Sequence, residues 1–176
     1  MTVHRLTPLP TRTSRGRLIV AEQVLAPTLA ELRRPHGGQR HERLVLWAGR
    51  TVETTSIVTS SITPHTDHGP QHVLLDEAAV NDAARLARAA ALGIIAQVHS
   101  HPGADTRHSD GDDRLVLMPF ESMFSLVVAD YGHGEIDPGR GAGLHQFQQG
   151  RWVQITNPDA LVVVPARLIA QESRHE

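Results

Sequence analysis

Residues 98–113, VHSHPGADTRHSDGDD, place three histidines and four aspartates in sixteen positions, directly after an apolar run. That run, Ile94 to Val98, reads as a short interior strand feeding its last residues into the cluster. Alternation along a strand puts His99 and His101 on one face, where two imidazoles can meet one metal ion. Pro102 stops the strand directly after the second histidine. A carboxylate from the following turn would complete a three-ligand set. Two His, one carboxylate and an open position make a recurring catalytic zinc arrangement. A merely solvated acidic loop has no need of the histidine pair.

Outward from this stretch, helix and strand signals alternate. Upstream, Asp76 caps EAAVNDAARLARAAALG, an Ala-rich helix that Gly93 is expected to end. Before it lie Leu44 to Trp47, a buried strand closing at Gly49, and TVETTSIVTSSI (51–62), read as one further strand. Thr63 to His72 reads as a loop. VLAPTLAELRR (24–34) is a helix stopped by Pro35, and PHGGQRH is a turn. Downstream, Ser122 to Ala129 and Gly143 to Ile155 give strand signals around a glycine-rich loop. LVVVP (161–165) is apolar, and RLIAQESRHE (167–176) reads as a short helix. The reading is one α/β domain over residues 17–176, a mixed β-sheet flanked by helices, after a disordered leader at 1–16. Trp47, Trp152, Met118 and Met123 are expected in the core.

Composition narrows the function classes. With 176 residues, 17 basic and 19 acidic, the chain offers no general case for nucleic-acid or membrane binding. All basic residues are arginine, which codon bias in a GC-rich genome explains, and residues 1–50 hold nine of them against three acids, as expected of a basic and partly mobile N-terminal region. Cysteine is absent, which removes disulfides, thiolate ligands and cysteine nucleophiles and fits a reducing cytoplasm. No apolar run approaches the roughly 20 residues of a membrane span, and residues 1–17 lack the apolar stretch of a secretory signal.

After His101-Pro102, six residues precede Ser109 and two more precede Asp112. This HxHP, six residues, S, two residues, D pattern closely resembles the JAMM motif of the JAB/MPN+ zinc metalloprotease family, whose members include deubiquitinase-type domains. The family also carries an upstream glutamate at a strand start with a glycine seven positions on. Here Glu42 opens ERLVLWAG, and Gly49 stands seven residues later. The family often has glycine three residues after the glutamate, where this chain has Val45. Glu53 is the rival for the glutamate, and the HExxH zinc-protease motif is absent.

The resemblance spans about residues 18–155. It implies one Zn2+ held by His99, His101 and Asp112, with Glu42 moving a proton and Ser109 donating to an oxyanion. Asp110 and Asp113 would replace Asp112 if the turn were shifted; otherwise they read as helix-start carboxylates. The implied activity is hydrolysis at the C-terminus of a ubiquitin-like protein, as precursor processing or deconjugation. Implied partners are that protein or its conjugates, with activating-type and conjugating-type enzymes of one pathway, as in bacterial antiphage systems. Nucleic acid and membrane are not implied. Two other readings compete. One is a scaffold domain, as in family members that lack the ligands. The other is a RadC-like, DNA-associated protein, although those typically carry Asn where Ser100 stands. His108 and the group His65, His68 and His72 are expected to be solvated loop histidines. Loops 60–72 and 131–142 are expected to flank the site.

Overall fold

The computed structural model describes residues 5–114 and 119–168. In chain order it contains β1 (Thr11–Arg12), β2 (Arg17–Ala21), α1 (Leu25–Leu32), β3 (Leu44–Val52), β4 (Thr55–Ile62), β5 (Asp67–Gly69) and β6 (His72–Leu74). There follow α2 (Glu77–Ala89), β7 (Gly93–Ser100), β8 (Phe124–Val128), β9 (Ala142–Gln148), β10 (Arg151–Ile155) and β11 (Leu161–Val164). One mixed sheet has the order β1-β10-β9-β8-β7-β3-β4-β2-β11, and β5 and β6 pair separately. The chain is thus a single α/β domain, and β7 lies inside its sheet, antiparallel to β3 and parallel to β8.

Alternation along β3 divides the core. Val45 and Trp47 pack with Leu32 of α1, Val98 and Leu126 on one face. Leu44 and Leu46 pack with Val73, Leu75, Ala79 and Ala83 under α2 on the other. Both faces are covered, which explains why the strand reads as a continuous apolar run. The Trp47 indole donates to Thr28 Oγ1 at 2.8 Å, tying α1 to the sheet. Asp76 caps α2 by accepting from the Ala79 amide at 2.7 Å, a contact worth about 1 kcal/mol.

Several boundaries differ from the sequence reading. β3 does not close at Gly49 but continues to Val52, shifting register against β4 between Ala48 and Gly49. A Cβ at Gly49 would stand 1.8 Å from the Ile57 carbonyl oxygen, so the glycine serves a close backbone approach. The stretch 51–62 is two strands joined at Glu53 and Thr54. Glu53 takes the positive φ (53°) such a tight hairpin needs, without the usual Asn or Gly signal. α2 ends at Ala89; Ala91 takes the left-handed φ of 56°, and Gly93 begins β7. The loop expected at 63–72 contains β5 and runs into β6.

Within the leader expected at 1–16, a short stretch pairs with the sheet. Thr11 and Arg12 lie parallel to Gln154 and Ile155, and Leu9 packs against Met123 and Trp152. Backbone pairing of this kind leaves no compositional trace. Met118 and most of the helix expected at 167–176 lie outside the described residues. No helix among them is long and apolar enough to cross a membrane.

Candidate metal centre

His99 pairs with Leu44 across β3 and with Val127 across β8. Its ring therefore lies on the α2 face of the sheet, with Leu44. His101 follows just after the strand, and the turn at 109–112 brings Asp112 back over both rings. His99 Nε2 lies 3.2 Å from His101 Nε2 and 3.4 Å from one Asp112 carboxylate oxygen; His101 Nε2 lies 3.0 Å from the other. All three side chains are buried, and their ligand atoms form a group that can hold a metal ion.

The donor set fits a small divalent cation on two further counts. Bonds of 2.0–2.1 Å at tetrahedral angles put neighbouring ligand atoms about 3.3 Å apart, close to the 3.2 Å between the two Nε2 atoms. The other ring nitrogen of His101, Nδ1, donates to the Asp105 carbonyl at 2.8 Å. This leaves Nε2 for the cation, a tautomer lock common behind metal-bound histidines.

Burial holds His99 neutral, with its pKa lowered to about 4 against the pull of Asp112. Burial also opposes charge on His101, but the hydrogen bond and charge of Asp112, the Asp105 carbonyl and Glu42 outweigh it, and its pKa rises. Asp112 would be pushed up by burial; its electrostatic coupling to His99 and the hydrogen bonds from both rings, which favour the carboxylate whenever a proton sits on an imidazole instead, hold it well below the usual carboxylate range. The ionised Asp112 carboxylate is the state that a divalent ion requires, and binding would displace the proton that the raised pKa favours on His101.

The SxxD spacing has a structural cause as well. The Ser109 amide donates to Asp112 at 2.5 Å, and the Asp112 amide donates to Ser109 Oγ at 3.1 Å. This reciprocal pairing resembles a capping box and opens the short helical turn Asp112–Arg114. Ser109 Oγ accepts there, so its own proton remains free to donate. Neither Asp110 nor Asp113 belongs to the ligand group: Asp110 accepts from the Leu6 amide, and Asp113 pairs with Arg5 and His108.

His101 and Asp112 border an open cleft of about 350 Å³, lined in part also by Glu42, Ser109 and residues 71–74. Glu42 is buried just before β3, its amide donating to the Gly69 carbonyl at 2.8 Å. Glu53 is exposed in the turn beyond the opposite end of β3. Of the two expected flanking loops, 60–72 reaches the cleft through Gln71 and His72. From 131–142, Tyr131 approaches: its amide donates to the His101 carbonyl at 2.7 Å and its hydroxyl to the Pro70 carbonyl at 3.0 Å.

Burial pushes the Glu42 carboxyl up to about 7, with the His101 charge opposing and the Asp112 charge adding. The folded state therefore binds more protons than the unfolded chain between pH 4.5 and about 7, and stability falls as pH rises through that window. We expect Glu42→Gln to stabilise the metal-free protein at pH 8 but not at pH 4. The difference between those two effects should be about 3 kcal/mol. Urea unfolding of chelator-treated protein at both pH values measures it; a mutational effect independent of pH would refute the assignment.

His108 corrects the sequence reading. It is fully buried, with Nε2 2.8 Å from Ser125 Oγ and Nδ1 3.3 Å from Asp113, and it stacks on His145 at 4.1 Å between centroids. Gln97, Ser125 and His145 stand opposite one another on β7, β8 and β9, forming a polar row beneath the 103–114 loop. The alternation of polar residues in QVHS and FSLV was the available signal. His68 also departs from a solvated loop: its ring lies near those of His36 and His41, and Nε2 accepts from Arg43 at 2.7 Å. His65 and His72 are exposed, as expected. Trp47, Trp152 and Met123 are buried.

No family model matches the chain, and no curated protein sequence matches it. Among solved structures it is similar to the solution structure of protein DSY2949 from Desulfitobacterium hafniense, a Northeast Structural Genomics Consortium target. The TM-score is 0.62 at 17% identity, covering 90% of this chain and 99% of that one. The likeness shows a shared fold.

Proposed function

We propose that the protein is a zinc-dependent isopeptidase or peptidase that cleaves at the C-terminus of a ubiquitin-like protein, in precursor processing or deconjugation. One observation carries the hydrolase reading: a buried His99–His101–Asp112 group meets a cleft that Glu42 and Ser109 also line. The JAMM-like spacing adds the substrate class. Zinc bound there supplies Lewis acidity and lowers the pKa of a water from 15.7 toward about 7.

The chain's own residues divide the remaining work. Glu42, with a pKa of about 7, can take a proton from the attacking water and return it to the leaving amine near neutral pH. Ser109, its oxygen already engaged by the Asp112 amide, donates its proton to the oxygen that gains charge at the scissile carbonyl. His101 Nδ1 keeps its proton on the Asp105 carbonyl throughout. On this reading the partners are a ubiquitin-like protein and the activating-type and conjugating-type enzymes that handle it, in the cytoplasm.

The test is cleavage of a ubiquitin-like protein fused through its C-terminal glycine to a reporter amine. Zinc-loaded wild type should cleave it, and Ser109→Ala should keep zinc while kcat falls on the order of 10²–10³-fold. Zinc-loaded protein that cleaves no member of a panel of such fusions would overturn the substrate assignment. An unchanged kcat in Ser109→Ala would remove the serine from the mechanism.

A further inference from the structure

We propose that Arg5 is a positioning residue of the metal centre, clamping the turn that carries Asp112 from its outer side; this rests on the reading of Asp112 as a ligand. The Arg5 side chain is only 16% exposed. Its Nη1 donates to the carbonyls of Ser109 at 3.2 Å and His108 at 3.4 Å, and its Nη2 donates to Asp113 at 2.9 Å. Nε donates to the Thr7 carbonyl at 2.6 Å, and the Leu6 amide donates to Asp110 at 3.0 Å. One planar guanidinium thus holds the chain on both sides of Asp112, which a single ammonium would not do.

The inner side of the turn is tied to the same carboxylate. Gln97 Nε2 donates to Ser125 Oγ at 3.0 Å, Ser125 meets His108 Nε2, and His108 Nδ1 meets Asp113. With Ser125 donating onward, every proton in this series points toward Asp113, and Arg5 closes it from the other end. Gln97 lies two residues before His99 on β7, so the relay joins the strand of the first ligand to the turn of the third. The N-terminal segment is itself anchored by the β1–β10 pairing. It therefore belongs to the site's frame.

The experiment uses the full chain as wild type, Arg5→Lys and Arg5→Ala, with two readouts. The first is hydrogen exchange of amides 108–113 in chelator-stripped protein, which needs no metal. The second is the rate of zinc release to a chromogenic chelator. Arg5→Ala should speed both roughly tenfold, the scale of one lost charge-assisted interaction, with β7 amides unchanged. Arg5→Lys should recover part of each, since the ammonium can satisfy Asp113 or the carbonyls but not both. Unchanged exchange and release in Arg5→Ala would overturn the proposal, as would acceleration spread evenly over β7. If wild type holds no zinc, the ligand reading fails separately, and the exchange readout still decides the clamp.

Discussion

Glu42→Gln is expected to keep zinc and fold yet to lose hydrolysis by roughly 10²–10⁴-fold, the usual contribution of a placed acid–base group. Glutamine matches glutamate in shape, so the cleft and the backbone hydrogen bond from residue 42 to the Gly69 carbonyl survive the change. What disappears is a carboxyl whose burial lifts its pKa to about 7, where accepting and returning a proton are both easy. The fall should appear in kcat with KM little changed, because the lost contact acts in the transition state. Glu53→Gln should change nothing, since Glu53 sits exposed beyond the far end of β3. Activity that survives Glu42→Gln would sink the proton-transfer assignment.

Asp112→Ala is expected to abolish stable metal binding, whereas Asp113→Ala should retain one equivalent. Asp112 supplies the only negative charge of the ligand group and contacts both histidines. Without it, two neutral imidazoles would have to hold a divalent ion in a buried site, against its desolvation cost. Asp113 turns away toward Arg5 and His108, so its loss affects how firmly the turn is held. Dialysis followed by elemental analysis separates the two variants. Zinc retained by Asp112→Ala and lost from Asp113→Ala would reverse the ligand assignment.

The ligand cluster was legible because it is local. Strand alternation puts His99 and His101 on one face, and the SxxD turn returns Asp112 within eleven residues of His101. The central strands were legible because apolar runs buried on both faces leave a plain signal. Glu42 was harder. Nothing in its neighbours states that β3 lies beside β7, and only the family pattern pointed to it over Glu53. His108 and Arg5 were misread or passed over, for one physical reason: a partner of each is distant in sequence. Ser125 lies 17 residues from His108, and Asp113 lies 108 residues from Arg5. Alternation marks Gln97 and Ser125 as facing one side of the sheet, but it does not say which loop residue they meet. The β3–β4 turn escaped because Glu53 adopts a backbone conformation usually given to Gly or Asn.

The central claim is that His99, His101 and Asp112 hold a catalytic metal ion. Elemental analysis of wild-type protein, expressed with supplemented zinc and dialysed against metal-free buffer, tests it most directly. The account predicts one equivalent of zinc per chain. Less than about half an equivalent in correctly folded protein, where a three-ligand site of this type should fill, would contradict it.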